Sequence, residues 1–454
     1  GRPAMSDAFA FTEPVWTTPR AQARIARRDR TMGRLFILFV VAIFAEGILR
    51  KWVIPGGAQK IFYFLRDPVI LAIYIHYLRH YRINPRWVKP FLIYAMFIAI
   101  LALLQNIYWQ RGILTPLLGI RFYTFYLPLP FIMAEVMTRA QLRQILLLLL
   151  WAAIPVALLV MFQFSQPSTA WINKGTSDDG FVFTITGDIP RPYGPFTFTS
   201  GQTLFGAMMV AVCLACWERR RDLALPFWLV LSAGFATMVM VSLGGSRGGL
   251  ISAGILMIFY VAAGLTSPKL AVGARRIVTI VLAATLAIMT FVVVFPQAYE
   301  AMSIRQTHAV RSEGSTAGRA LSTITDVTHA YDYTPFGGFG LGAGSNGARA
   351  SNGNTNYSQL AESEWPRMVN EGGPIFGTLL LMLRQCFALV LFLRCLRLNR
   401  KTGDGSAMIM MGFAALELGI GQATSDNQAL TFTWFATGLV LAFLHNPQTS
   451  RRRR

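Results

Sequence analysis

Apolar residues collect in runs of roughly 20 positions, separated by short polar stretches, which is the length a helix needs to cross a hydrocarbon core. These runs predict twelve spanning helices, at 34–49, 60–78, 88–107, 113–136, 142–163, 200–217, 224–243, 249–265, 276–296, 373–393, 406–423 and 429–445. The pattern therefore predicts an all-α polytopic membrane protein with about 12 transmembrane helices.

The composition supports this fold class, because only 14% of the 454 residues are charged whereas 54% are hydrophobic. Soluble domains carry about a quarter charged residues. A net charge of +21 would suit a nucleic-acid partner. Most basic residues, however, fall in short loops on one side of the predicted membrane, as the positive-inside rule requires. Nucleic acid is therefore excluded as a partner.

An even number of spans places both termini on the side of the basic loops, which is cytoplasmic. The predicted order begins with a cytoplasmic tail at 1–33 and helices one to nine at 34–296, with a periplasmic loop at 164–199. A large periplasmic loop at 297–372, helices ten to twelve at 373–445 and a basic cytoplasmic tail at 446–454 follow. Loops as long as the two periplasmic ones are commonly functional or disordered.

Charged side chains within the predicted spans are functional candidates, because charge is costly in a bilayer. They are Arg66, Asp67, Arg121, Arg384 and Glu417. The alternative is structural pairing, for example of Arg66 with Glu46 or of Asp67 with a nearby arginine. For Arg384 we expect packing or snorkelling.

The predicted external face carries many cations, although the positive-inside rule keeps that face poor in them. They are Arg50, Lys51, Arg191, Arg247, Arg305, Arg311, Arg319 and Arg367. Guanidinium groups bind phosphate oxygens through charge-assisted, bidentate hydrogen bonds. The pattern favours an anionic ligand such as a lipid pyrophosphate; attraction to lipid headgroups alone is the other interpretation.

Two carboxylates, Glu362 and Glu364, stand just before the tenth predicted helix. A carboxylate beside arginines could act as general base toward a sugar hydroxyl while the arginines hold a leaving phosphate. No metal is expected, because His308 and His329 lack ligand-like spacing. Asp178, Asp179 and Asp188 form no DxD pair suited to a nucleotide–metal complex, so a nucleotide-sugar donor is not expected. No cofactor is expected either.

Three stretches resemble motifs of the O-antigen ligase / O-antigen polymerase superfamily of bacterial envelope glycosyltransferases. They are Gly244-Gly245-Ser246-Arg247-Gly248-Gly249, Pro335-Phe336-Gly337-Gly338-Phe339-Gly340-Leu341-Gly342 and Glu371-Gly372-Gly373-Pro374-Ile375-Phe376-Gly377. Three further stretches are typical of a polymerase-like branch: Glu46-Gly47-Ile48-Leu49-Arg50-Lys51-Trp52, Leu65-Arg66-Asp67-Pro68 and Arg191-Pro192-Tyr193-Gly194-Pro195-Phe196.

The resemblance implies a GT-C-like helical fold in the bacterial inner membrane, with periplasmic loops over a cavity that opens to the outer leaflet. It implies transfer of a glycan from a polyprenyl-pyrophosphate carrier to the hydroxyl of another lipid-linked repeat unit, without metal or nucleotide. We assign pyrophosphate or substrate binding to Arg247 and Arg319, supported by Arg191, Arg50, Lys51, Arg66 and Arg367. Glu362 is the expected general base and Glu364 the second candidate.

Two alternatives to a polymerase remain. Ligases of this superfamily usually carry a His about nine residues before the motif glutamate, where this chain has Glu362, and the difference favours a polymerase. A flippase for lipid-linked sugars would also have about a dozen helices, but transporters usually place their site at the midplane, often within inverted repeats. The expected partners are a polyprenyl-pyrophosphate-linked oligosaccharide, membrane lipids and, for a polymerase, a chain-length regulator.

Overall fold

The computed structural model describes residues 19–54, 56–110, 112–176, 182–268, 316–345 and 363–446, with a few positions between 273 and 300 and at 347–348. Within these ranges the chain forms thirteen α-helices. They are α1 (Pro19–Ile48), α2 (Asp67–His80), α3 (Pro85–Trp109), α4 (Leu114–Ile120), α5 (Pro128–Val136), α6 (Arg139–Ser165), α7 (Thr199–Arg219), α8 (Phe227–Leu243), α9 (Arg247–Leu265), α10 (Thr316–Tyr333), α11 (Glu364–Thr402), α12 (Ser406–Gly419) and α13 (Asn427–His445).

Shorter elements lie between these helices. Two π-helical turns, Leu49–Val53 and Arg121–Phe125, follow α1 and α4 directly. Two 3₁₀ segments cover Gly57–Phe64 and Trp171–Asn173. One antiparallel pair of short strands, β1 (Thr184–Thr186) and β2 (Ile189–Pro190), aligns Thr184 with Pro190.

Nine helices of the described chain are long and apolar enough to cross a membrane, and Phe227–Leu243 and Ser406–Gly419 are shorter apolar helices. Together they overlap eleven of the predicted spans; the remaining one, 276–296, lies almost wholly outside the described residues. The chain is therefore an all-α polytopic membrane protein, as predicted. The count of twelve spans and the GT-C-like arrangement stay predictions.

The helices form a bundle with α13 at its centre and α3 at its edge. α13 packs against α5, α7 and α12 and is buried along nearly its whole length. α3 instead exposes a row of large apolar side chains, among them Leu92, Ile93, Met96 and Leu104. Such a surface is stable in lipid, where apolar side chains need no protein cover.

The two ends of the bundle differ in composition. The glycine-rich end contains the start of α13, the turn before α9, residues 165–176 and 182–200, and the loop Thr334–Ser345. The arginine-rich end contains the end of α13 and the connections α2–α3, α5–α6, α7–α8 and α11–α12. Nine of the ten described glycines with positive φ lie at the glycine-rich end, and Gly403 lies at the other.

Helix α11 begins at Glu364, within the segment predicted as a loop at 297–372. Its first turns are separated from the long remainder by a kink at Gly373, which has φ of 84° and is followed by Pro374. The predicted start of the tenth span therefore coincides with the kink, and the helical segment before it was missed. Helix α10 also lies within the predicted loop, so that loop is partly helical.

Candidate functional site

The turn between α12 and α13, Ile420–Asp426, joins several helices at the glycine-rich end. Asp426 is the N-cap of α13 and accepts hydrogen bonds from the backbone N–H groups of Gln428 (2.6 Å) and Ala429 (3.1 Å). Its second carboxylate oxygen accepts from the Ser200 hydroxyl of α7 at 2.8 Å. The turn therefore fixes where α7 and α13 meet.

Two charges predicted to be candidates in the second span form buried pairs. Arg66 is fully buried and donates to the carboxylate of Glu46 and to the backbone carbonyl of Asn427. The other oxygen of Glu46 accepts from Arg50 at 3.0 Å. The expected structural pairing of Arg66 with Glu46 is therefore present in the fold.

Asp67 pairs with Arg121, which was the second expected pairing. Arg121 Nε donates to Asp67 Oδ2 at 2.6 Å and Nη2 donates to Oδ1 at 2.8 Å, a bidentate arrangement. Arg121 Nη2 also donates to Asn427 Oδ1 at 2.7 Å, and Tyr126 donates to Asp67 at 3.0 Å. The pair thus ties α2 and the π-helical turn after α4 to the start of α13.

Glu364, the second candidate for general base, is buried in a cluster on α11. Its Oε1 accepts from Arg384 Nη1 at 2.6 Å and from the backbone N–H (2.9 Å) and hydroxyl (3.0 Å) of Thr424. Its Oε2 lies 3.6 Å from Arg367 Nη1, which also donates to the Ser425 hydroxyl. Glu364 and Arg367 are therefore brought together. The burial and the existing hydrogen bonds of Glu364 favour a role in positioning its neighbours over a role as general base.

Of the two roles expected for Arg384, packing and snorkelling, the structure shows packing. Besides Glu364, Arg384 donates to the carbonyl oxygens of Leu418 (2.6 Å), Glu417 (2.7 Å) and Gly421 (2.6 Å). These carbonyls belong to the end of α12, where no intrahelical donor remains. Arg384 therefore satisfies the helix end with a buried cation instead of extending to the membrane surface.

Glu371 is the buried carboxylate that sequence reasoning did not select. Its Oε1 accepts from the backbone N–H of Gly344 at 2.8 Å, and its Oε2 accepts from Gly342 N–H (3.1 Å) and the Tyr123 hydroxyl (3.0 Å). The glycine run of the loop thus wraps the carboxylate. The sequence signal that could have identified Glu371 is the run Gly372-Gly373-Pro374 directly after it. This run interrupts a regular helix and allows another backbone segment to approach closely.

The glycine motif and the glutamate motif also touch through their backbones. Phe339 N–H donates to the Asn370 carbonyl at 2.7 Å, and Gly340 N–H donates to the Glu371 carbonyl at 3.2 Å. A Cβ at Gly338 would stand 2.7 Å from the carbonyl carbon of Gly372. Two motifs that are far apart in the chain therefore form one interlocked structure.

Lys51 lies where the motifs around Glu46 and Tyr193 meet. Its ammonium group donates to the Gly194 carbonyl at 2.9 Å and lies 4.2 Å from the Trp52 ring centroid. The Tyr193 hydroxyl accepts from the Phe183 N–H at 3.1 Å. Burial raises the pKa of the Tyr193 phenol, so the hydroxyl stays neutral.

Arg191 lies against Gly245, just before Arg247 and the start of α9. A Cβ at Gly245, which has φ of 58°, would lie 3.5 Å from Arg191 Cγ. Arg247 is the first residue of α9, and the N-cap Ser246 accepts from Gly249 N–H at 3.3 Å. Both arginine side chains are half-buried. Two predicted phosphate ligands therefore lie near one helix N-terminus.

Two residues assigned to the site remain without side-chain placement, and two of the predicted external cations, Arg305 and Arg311, lie outside the described residues. Glu362, the first choice for general base, lies outside the described residues. Arg319 lies on α10, and its side chain is outside the described part as well. Their roles stay predictions.

The groups that could hold a ligand at this end are guanidinium and backbone N–H donors. Within the described ranges, no three His, Cys, Asp or Glu side chains converge as metal ligands do. These donors suit an anion with several acceptor oxygens. No protein-family model and no curated protein matches the chain.

Proposed function

We propose that the chain is a polysaccharide polymerase, a metal-independent glycosyltransferase of the bacterial inner membrane. It transfers a polyprenyl-pyrophosphate-linked glycan to the hydroxyl of another lipid-linked repeat unit. The observation that carries this proposal is the position of Arg191 against Gly245, two residues before Arg247 at the N-terminus of a spanning helix.

The start of α9 has the properties that bind a phosphate at a membrane boundary. The first N–H groups of a helix lack intrahelical acceptors, and the helix dipole places partial positive charge there. A phosphate or carboxylate binds readily at such a terminus. Arg247 and Arg191 would add charge-assisted hydrogen bonds, which suit a pyrophosphate leaving group.

The transfer itself needs few groups from the protein. The acceptor hydroxyl attacks the anomeric carbon, the bond from that carbon to the phosphate oxygen breaks, and the pyrophosphate leaves with the bonding electrons. Arginines stabilise the charge that develops on the leaving oxygen. The hydroxyl proton passes to a general base. We assign that role to Glu362, which stands two residues before the anchored Glu364 in the sequence.

The orientation we propose places the glycine-rich end in the periplasm and both termini in the cytoplasm. It is supported by the exposed cations of the opposite end, among them Arg27, Arg30 and Arg79, because cytoplasmic loops carry an excess of Lys and Arg. Concentration of irregular backbone at one end favours an enzyme over a flippase, whose site would lie at the midplane.

The test is the lipid-linked glycan profile, resolved by size, of strains that carry the wild-type gene, no gene or Glu362→Gln at matched expression. A polymerase predicts single repeats on the lipid carrier and no long chains in both altered strains. Long chains retained on the carrier would instead identify a ligase, and repeats trapped on the cytoplasmic face would identify a flippase. Normal chain lengths with Glu362→Gln would remove that residue from the mechanism.

A further inference from the structure

Three irregular turns at the glycine-rich end place two arginines beside one tyrosine. Arg50 belongs to the π-helical turn Leu49–Val53, Arg121 begins the second π-helical turn, and Tyr63 lies on the 3₁₀ segment Gly57–Phe64. The guanidinium carbons of Arg50 and Arg121 lie 5.6 Å and 5.5 Å from the Tyr63 ring centroid. π-helical turns are rare and frequently occur at functional sites.

Each of these three side chains has a buried polar atom without a hydrogen-bond partner among the described residues. The atoms are Arg50 Nε, Arg121 Nη1 and the Tyr63 hydroxyl oxygen. The Arg121 side chain is only 9% exposed. Because buried polar groups are nearly always paired, unpaired ones need an explanation. All three groups can donate, so one ligand with several acceptor oxygens would satisfy them together.

Charge alone does not select the ligand of this cluster. The guanidinium groups of Arg50, Arg66 and Arg121 face the carboxylates of Glu46 and Asp67. A third carboxylate, that of Asp426, is close to Tyr63, so the charges balance. The unpaired donors are therefore what favours a ligand with acceptor oxygens here.

A ligand could reach the cluster from the membrane boundary. The Arg50 side chain is 13% exposed, which gives the cluster an edge outside the bundle. A Cβ at Gly347 would stand 3.6 Å from the Tyr63 hydroxyl, so the glycine run after α10 lies directly beside the unpaired oxygen.

We propose that Tyr63, Arg121 and Arg50 form a phosphoryl-binding subsite, separate from the start of α9, and that it holds the pyrophosphate of a lipid-linked repeat unit. The choice of a pyrophosphate over another phosphoryl group rests on the proposed function. Arg50 was expected to contact an anion; the structure assigns Tyr63 and Arg121 to the same ligand.

The test measures binding of farnesyl pyrophosphate to the purified full-length protein in detergent, for wild type and Tyr63→Phe. The substitution removes only a hydroxyl that has no partner among the described residues, so the thermal midpoint should not fall. Loss of one hydrogen bond to a charged ligand predicts an affinity about tenfold lower. Tyr108→Phe is the matched control, because Tyr108 lies at the same end of the bundle but is 78% exposed.

The outcomes separate the subsite from the function. Unchanged affinity in Tyr63→Phe, with tight binding by wild type, would overturn the subsite and leave the proposed function standing. No binding by wild type would overturn both. Competition with dioleoyl phosphatidylglycerol identifies the source of the phosphoryl group. A Tyr63→Phe defect confined to that lipid would overturn the assignment to a lipid-linked repeat unit.

Discussion

The two ends of the bundle both bury arginine side chains, yet they support them with different backbone. At the arginine-rich end, Arg219 pairs with Asp222 at 2.7 Å and with Asp404 at 3.1 Å, between regular helix ends. At the glycine-rich end, Arg66 and Arg121 lie among π-helical and 3₁₀ turns and glycines with positive φ. Irregular backbone of this kind is costly and is often associated with function.

The difference teaches that a buried charge alone does not mark a site. Arg276 is fully buried and donates twice to Glu218 at 3.0 Å, and this bidentate pair connects helices at the arginine-rich end. Its geometry resembles that of the Asp67–Arg121 pair. Arg276 even leaves its Nη1 without a hydrogen-bond partner among the described residues. What distinguishes the glycine-rich end is that its buried charges lie among π-helical and 3₁₀ turns and glycines with positive φ.

The largest expected effect comes from Glu46→Ala, because it leaves the fully buried Arg66 without its carboxylate. Breaking a buried pair from one side costs about 3–5 kcal/mol. We expect a large fall in the free energy of unfolding, measured by denaturant titration in detergent. The double variant Glu46→Ala with Arg66→Met should recover much of the loss, since it removes the uncompensated charge.

The matched variant at the other end is Asp404→Asn. It removes one of two carboxylates from Arg219 but keeps the polar side chain that caps α12 through Ser406. Its effect should be clearly smaller than that of Glu46→Ala. Equal losses in the two variants, or a double variant no more stable than Glu46→Ala, would contradict the comparison.

The sequence predicted the spans well because hydrophobic length is a direct requirement of the bilayer. It also suggested the pair Glu46–Arg66, and for Asp67 an arginine that it did not identify, since a charge in lipid needs a partner. It did not select Glu371 as a site residue, because the backbone N–H groups that donate to Glu371 belong to a loop about thirty residues earlier in the chain. Contacts between distant segments leave no local periodicity in the sequence. The contacts between Glu371 and the glycine loop therefore became visible only in the fold.

Gly342→Ala should have the next largest effect. At φ of 83° a side chain is strained by about 1–2 kcal/mol. In addition, the new Cβ would stand 2.6 Å from the Thr115 carbonyl oxygen and 2.8 Å from Gly119 Cα, so the loop must move from α4. We expect a lower thermal midpoint and loss of long glycan chains in cells.

Gly403→Ala is the control for the backbone strain, because Gly403 has a similar φ of 75° at the arginine-rich end. Its nearest neighbour would be the Ser267 hydroxyl at 3.3 Å, which can move aside. The variant should lose about 1–2 kcal/mol of stability and keep its glycan profile. Loss of long chains in both variants would mean that strain alone, at either end, disables the protein.

The smallest effect is expected for Arg139→Gln at the arginine-rich end. Arg139 pairs with Asp222, but its side chain is 40% exposed, and such pairs contribute about 0–1 kcal/mol. Asp222 also keeps Arg219 as a buried partner after the substitution, so no carboxylate is left without a cation. Denaturant titration of Arg139→Gln and Glu46→Ala under the same conditions would measure how far the exposed and the buried pair differ in their contribution to the free energy of unfolding. A loss as large as that of Glu46→Ala would mean that exposure does not weaken the pair, and that burial is not what separates the two ends energetically.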